Sequence, residues 1–144
     1  MKLTDDWFTS IALDDENRTV YVNGRLNLTD FIAGGKYKYR IEIQYLFKGS
    51  SFPQGMDAQY IETVEDLLRP AMEKDKMAIL TGNYLASGCK YWVYYSRTDQ
   101  VFFDRLNFTL KSLPPLPLKF VLEIDPEWSE YHGILELWNG VEED

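Results

Sequence analysis

One cysteine and one histidine occur in 144 residues, and these two scarcities bound the chemistry open to the chain. Cys89 has no second thiol to pair with, so an intrachain disulfide is excluded. That usage fits a reducing compartment, and a cytoplasmic location is expected. His132 would have to serve as the base in every Ser-His-Asp or Cys-His scheme, yet it lies in no recognisable motif. Structural zinc needs several Cys or His ligands and is excluded on the same count. A Gly-rich phosphate loop is also missing: Gly34-Gly35 and Gly82 read as turn or bulge positions. No catalytic residue, cofactor or metal is therefore expected.

Long apolar runs are missing too. Nothing approaches the ~20 residues a membrane-spanning helix requires. The start, Met1-Lys2-Leu3-Thr4-Asp5-Asp6, lacks a basic segment followed by an apolar one, so no secretory signal is expected. Basic residues are few: 15 Lys and Arg stand against 23 Asp and Glu, a net charge of −8. Affinity for nucleic acid comes largely from neutralised phosphates, and anionic membranes repel an acidic surface. Neither nucleic acid nor membrane is expected as a partner.

Aromatic residues are abundant, at 15% of the chain. Trp7, Thr9, Ile11 and Leu13 alternate with Phe8, Ser10 and Ala12, predicting a strand. Asp14 to Asn17 reads as a turn, Thr19 to Val22 as a second strand, and Asn23-Gly24 as a tight primed turn. From Tyr37 to Lys48 an apolar series at odd positions alternates with Lys38, Arg40, Glu42 and Gln44. A loop over Gly49–Gly55 precedes a helix from Asp57, its expected cap, to about Lys74, with Pro70 bending or ending it. Met77–Leu85 and Cys89–Arg97 are predicted strands, Asp99–Leu113 a helix, and Leu118–Ile124 a last strand. Glu127–Trp138 reads as a helical or irregular tail and Val141–Asp144 as a frayed end.

The length fits one domain, divided here into an N-terminal strand extension (1–35), a core (36–126) and a tail (127–144). Strand–helix–strand occurs twice within the core. Right-handed crossovers then put both helices on one side of a four-stranded sheet, so the expected class is α+β, a ferredoxin-like two-layer sandwich βαββαβ with additional N-terminal strands.

This topology predicts a charged sheet face. Arg40 and Glu42 should point away from the helices, as should Lys119 and Glu123 on the neighbouring strand. Antiparallel pairing would set Lys119 near Glu42 or Gln44 and Glu123 near Lys38 or Arg40. A solvated, salt-bridged face is the plainer interpretation. The functional one is a polar platform with Trp92 and Tyr94 near its middle. Trp128 and Tyr131, with Trp138, either cap a core or form a protein-binding anchor. Together Arg40, Glu42, Trp92, Tyr94, Lys119, Glu123, Trp128 and Tyr131 make up the candidate binding surface. The acidic clusters Asp14-Asp15-Glu16 and Asp125/Glu127/Glu130 lack the spacing of a calcium loop and read as solvated turns.

Several short segments carry a resemblance. Gly55-Met56, Leu67-Leu68, Gly82, Ser87-Gly88, Tyr91-Trp92-Val93-Tyr94-Tyr95 and Asp125-Pro126-Glu127-Trp128 with Tyr131 make the stretch from Gly49 to Tyr131 resemble a bacterial family of uncharacterised proteins, domain of unknown function 695. The Asp-Pro-Glu-Trp segment is its most specific part, and the N-terminal strands fall outside it. The resemblance implies a bacterial cytoplasmic protein of ferredoxin-like topology and supplies no catalytic residue. The family is distantly similar to the small acidic inhibitor of ribonuclease E, protein B, which would imply a regulator that binds another protein.

The expected function is a non-enzymatic binding or regulatory module that contacts a protein partner or a second copy of itself. The alternative is a small enzyme or small-ligand binder with a carboxylate and aromatic pocket on the open sheet face.

Overall fold

Alternation of apolar and polar side chains every second residue lets a strand bury one face and expose the other, whereas a helix buries a stripe. Both patterns are realised in the computed structural model, which describes residues 2–49 and 52–142. In chain order the elements are β1 (Trp7–Leu13), β2 (Thr19–Arg25), α1 (Thr29–Ala33), β3 (Tyr39–Leu46), α2 (Gly55–Glu73), β4 (Ala78–Ala86), β5 (Cys89–Ser96), α3 (Gln100–Thr109), β6 (Leu118–Ile124) and α4 (Ser129–Glu142). The fold is α+β. Six strands form one antiparallel sheet in the order β1-β2-β4-β5-β3-β6, so the N-terminal hairpin extends the sheet beyond β4.

Each face of the sheet carries a core. On one, Ile41, Ile43 and Tyr45 of β3, Leu80 of β4, and Trp92 and Tyr94 of β5 meet Val64, Leu68 and Met72 of α2 and Phe102 and Leu106 of α3. Helices α2 and α3 thus lie on the same side. On the other face Ile79, Val93 and Tyr95 meet Leu28 and Phe31 near α1, Tyr37, and Trp128 and Tyr131 at α4. A buried ion pair, Arg25 Nη1 to Glu73 Oε2 at 2.8 Å, ties β2 to α2. Arg25 also donates to the carbonyls of Thr4 and Leu80, and its guanidinium lies over the Trp7 ring.

Two local expectations are corrected, and one short helix was not anticipated. Asn23-Gly24 is no turn but lies inside β2. There the Phe8 ring presses so close that a Cβ on Gly24 would sit 2.3 Å from it, so glycine is present for space and not for turning. The helix α2 starts at Gly55 and not at Asp57, whose carboxylate accepts from the Tyr45 hydroxyl at 2.8 Å; among the described residues α2 has no side-chain cap bond at its start. Helix α2 runs through Pro70 to Glu73, one residue short of the expected end near Lys74, and Lys74 N donates to Pro70 O at 3.0 Å. The five-residue α1 carried too short a pattern to be predicted. The loop over Gly49–Gly55 and the frayed end include residues 50, 51, 143 and 144, which lie outside the described residues.

Candidate functional site

Strand register decides which candidate residues share a face. Arg40, Glu42 and Gln44 of β3 stand opposite Tyr95, Val93 and Tyr91 of β5, and opposite Glu123, Val121 and Lys119 of β6. Directly opposed residues point to the same side. Arg40, Glu42, Lys119 and Glu123 are therefore brought together on the face away from α2 and α3. Trp92 and Tyr94 are not. They stand opposite Ile43 and Ile41, are buried beneath α2, and the Trp92 indole N–H donates to Glu65 at 2.9 Å. Tyr91, one residue off, takes the place on the polar face.

That face carries a connected charge network. Arg40 donates to Glu123 at 3.0 Å and to Glu42 at 3.2 Å, and the Gln44 amide donates to the other Glu42 oxygen at 2.6 Å. Arg40 is only 8% exposed. Burial works against its charge, but Glu42, with Tyr84, Tyr95 and Glu123, outweighs that and holds the guanidinium protonated. The network occupies the boundary between the part of the face covered by α1 and α4 and the part left open.

In the open part the turn between β1 and β2 rises beside the sheet and forms a cleft of about 400 Å³. Asp14, Asp15, Glu16 and Arg18 line it from the turn, and Glu42, Tyr84 and Tyr91 from the strands. The turn is self-braced: Asp14 accepts from the backbone N–H groups of Glu16 and Arg18 and from the Arg18 side chain at 2.9 Å. These bonds, the Arg18 N–H first, hold the Asp14 carboxyl below the usual range. Burial pushes the Tyr84 and Tyr91 phenols up to about 12, so both remain hydrogen-bond donors at neutral pH. The cleft offers carboxylates and phenol donors, a set that recognises cations and hydrogen-bonding groups. Tyr84, Tyr91 and Arg18 were absent from the sequence-derived candidates. The signal that finds Tyr91 and Tyr84 is register parity: Gln44, Tyr91 and Tyr84 form one transverse row.

Trp128 and Tyr131 sit in the second core and not on an open surface. Trp128 is 1% exposed, stacks on Tyr95 with ring centres 4.2 Å apart, and donates its indole N–H to Tyr37 O at 2.8 Å. The Tyr131 hydroxyl donates to Arg25 O. Asp125 accepts from Tyr95 at 2.7 Å and from the backbone N–H groups of Ser129 and Glu130, so it caps α4. Trp128 takes a left-handed conformation (φ 57°), a costly one for a bulky residue that the surrounding rings and hydrogen bond impose. The Asp-Pro-Glu-Trp segment is thus a clasp that docks α4 on the sheet.

The lone histidine and cysteine are held apart in role. His132 is exposed on α4 beside the Tyr131 ring. The Cys89 thiol is in β5, pushed up by burial and so held protonated. Among the described residues no group of three His, Cys, Asp or Glu is placed to hold a metal ion. No helix among them is long and apolar enough to cross a membrane.

Both sheet edges expose apolar side chains. At β1 these are Ile11 and Leu13, and at β6 Phe120, Leu122 and Ile124.

Comparison with known protein families finds a match over most of the chain. Residues 5–135 match the family model described as "Family of unknown function (DUF695)". The match begins ahead of β1, so the N-terminal strands belong to the shared part, contrary to the expectation from the segments after Gly49. No curated protein and no solved structure matches the chain.

Proposed function

The chain belongs to DUF695, a family of unknown function, and on that premise we propose that it is a non-enzymatic binding module whose contacts with a protein run through the edges of its sheet. The supporting observation is the row of exposed apolar side chains along β6, on an edge strand paired on one side only. Unpaired strand edges with apolar side chains favour strand addition. The protonated Cys89 thiol and the separate placement of His132 support a binding role over covalent chemistry. In this reading β3 to β6 with α2 and α3 form a ferredoxin-like unit within one domain, the N-terminal hairpin widens its sheet, and the protein works in the bacterial cytoplasm.

The test immobilises the full chain and compares wild type with Leu122→Pro and Ile11→Asp. Selective retention of one protein, including the chain itself, that either variant abolishes is the expected result. Equal recovery on all three would sink the reading.

A second reading rests on the cleft between the Asp14–Arg18 turn and Glu42, Tyr84 and Tyr91. Its size and carboxylate–phenol lining fit a small cationic ligand. Chemical shift changes confined to these residues on titration with small amines would favour it over edge binding.

A further inference from the structure

Strand β6 closes one end of the sheet, and among the described residues no strand pairs with its outer side. Asp125 N donates to Lys38 O, and Leu46 N to Pro117 O. The odd-numbered residues of β6 therefore direct their backbone groups toward β3 in an antiparallel ladder. The N–H and C=O groups of Phe120, Leu122 and Ile124 point outward. These residues are also exposed through their side chains, at 42%, 44% and 73%.

The strand reads Leu118-Lys119-Phe120-Val121-Leu122-Glu123-Ile124, and it is its own complement. Place a second copy antiparallel with the two-fold axis at Val121. Lys119 of each chain then faces Glu123 of the other, Phe120 faces Leu122, Leu118 faces Ile124, and Val121 faces itself. The outward backbone groups fall opposite one another as the ladder requires. Moving the axis to Phe120 sets Lys119 against Val121. Moving it to Leu122 sets Lys119 against Asp125, whose oxygens already serve Tyr95 and the first turn of α4. Only the register centred on Val121 matches charge with charge and apolar with apolar along the whole strand.

Within one chain the charges are prepared for this. Glu123 accepts from Arg40 through Oε1 alone and remains half exposed. Lys119 is exposed and makes no ion pair among the described residues; it stands opposite uncharged Gln44. A partner's Lys119 at Glu123 would extend the network to Arg40–Glu123–Lys119 across the axis. On the other face Phe120, held edge-on to Phe103 at 5.5 Å, would meet the partner's Leu122. The opposite edge offers no such selection, because β1 (Trp-Phe-Thr-Ser-Ile-Ala-Leu) carries no charge to choose a register.

We propose that two copies of this chain associate through β6 in an antiparallel register centred on Val121, joining their six-stranded sheets into one continuous sheet with paired Lys119–Glu123 contacts. The proposal rests on the edge-binding reading above and names a second copy as the partner.

The test is sedimentation of the full chain from micromolar to millimolar concentration, with amide exchange measured at both ends of the range. The expected result is a rise from 16.9 kDa to twice that mass, accompanied by new protection at Phe120, Leu122 and Ile124. Leu122→Pro removes an outward N–H without touching the ladder to β3 and should abolish association. Lys119→Glu, at an exposed position, should weaken it by about tenfold or more by setting two like charges opposite each other twice. Mixing Lys119→Glu with Glu123→Lys should restore a mixed dimer, because every cross-strand pair is again of opposite sign. A chain that stays at 16.9 kDa throughout, or a dimer indifferent to Leu122→Pro and Lys119→Glu, overturns the proposal. Retention of a different protein at the same edges would in that case leave the binding-module reading standing, so the two failures are distinguishable.

Discussion

Tyr94 and Tyr95 are consecutive in β5 and equally buried, yet they are held on opposite faces of the sheet by different means. Tyr95 stacks on Trp128 and donates to Asp125 at 2.7 Å. Tyr94 lies against Phe102 beneath α2 and α3, with its hydroxyl enclosed and without a hydrogen-bond partner among the described residues. The contrast extends to the two cores. The α2/α3 side is closed mostly by aliphatic side chains, and its polar links run to carboxylates of α2: Arg25 to Glu73, Trp92 to Glu65 and Tyr45 to Asp57. The α1/α4 side is closed by aromatic rings, most of whose polar tips find carbonyls or a carboxylate. Helix length does not set this difference, since α2 and α3 have 19 and 10 residues and α1 and α4 have 5 and 14; Tyr and Trp rings bring polar tips into the second core, and those tips need directional bonds when buried.

The largest effects should strike one residue on each side. Glu73→Ala leaves the buried Arg25 guanidinium without its carboxylate and should cost about 3–5 kcal/mol in urea unfolding. Trp128→Ala removes the ring that seats α4 and should cost a similar amount, about 3–5 kcal/mol. The two should differ in kind. Amide exchange should rise across β2, α2 and β4 in Glu73→Ala, but across α4 and α1 in Trp128→Ala. Matching exchange patterns would erase the distinction between the two cores.

The tyrosine pair sharpens it further, with opposite signs. Tyr95→Phe gives up a hydrogen bond to Asp125 and should destabilise by about 1 kcal/mol. Tyr94→Phe removes an enclosed hydroxyl that has no partner and should be neutral or stabilising by up to about 1 kcal/mol. Thermal unfolding of the two variants side by side decides it: a loss for Tyr94→Phe as large as for Tyr95→Phe contradicts the account.

The last effect is a dependence on pH confined to the α4 side. Burial works against the Asp125 charge, but the Tyr95 hydroxyl and the N–H groups of Glu130 and Ser129 outweigh it, so its pKa lies below the ordinary 3.8. A carboxyl depressed in the folded state contributes stability in full above 3.8 and loses it as pH falls through the folded value. Asp125→Ala should therefore cost about 0.5–2 kcal/mol at neutral pH, as a lost helix cap does. Its difference from wild type should narrow below that point. A gap that stays constant down to the acid transition argues against the capping role.

Much of the fold was legible because period-two patterns are local. The alternation from Tyr37 to Lys48 and from Leu118 to Ile124 gave β3 and β6, and the strand–helix–strand rhythm put α2 and α3 on one side. The clustering of Arg40, Glu42, Lys119 and Glu123 followed from the same alternation. What failed was placement within an aromatic strand. With Tyr91, Val93 and Tyr95 on one side and Trp92 and Tyr94 on the other, both faces of β5 are apolar, and composition offers no parity to choose between them. The Trp128 group failed for another reason: exposure of an aromatic tail depends on whether a sheet face lies beneath it.

The amino-acid order by itself determined the strands, the helices α2 and α3, the acidic balance and the self-complementary order of charges in β6, since each is read from composition or from neighbours within a few residues. Tertiary structure alone decided that β6 is an edge, that Trp92 and Tyr94 are buried under helices, and that the Asp125–Trp128 segment clasps α4. Those outcomes depend on which strands become neighbours, and strand pairing is settled by contacts between residues far apart in the chain.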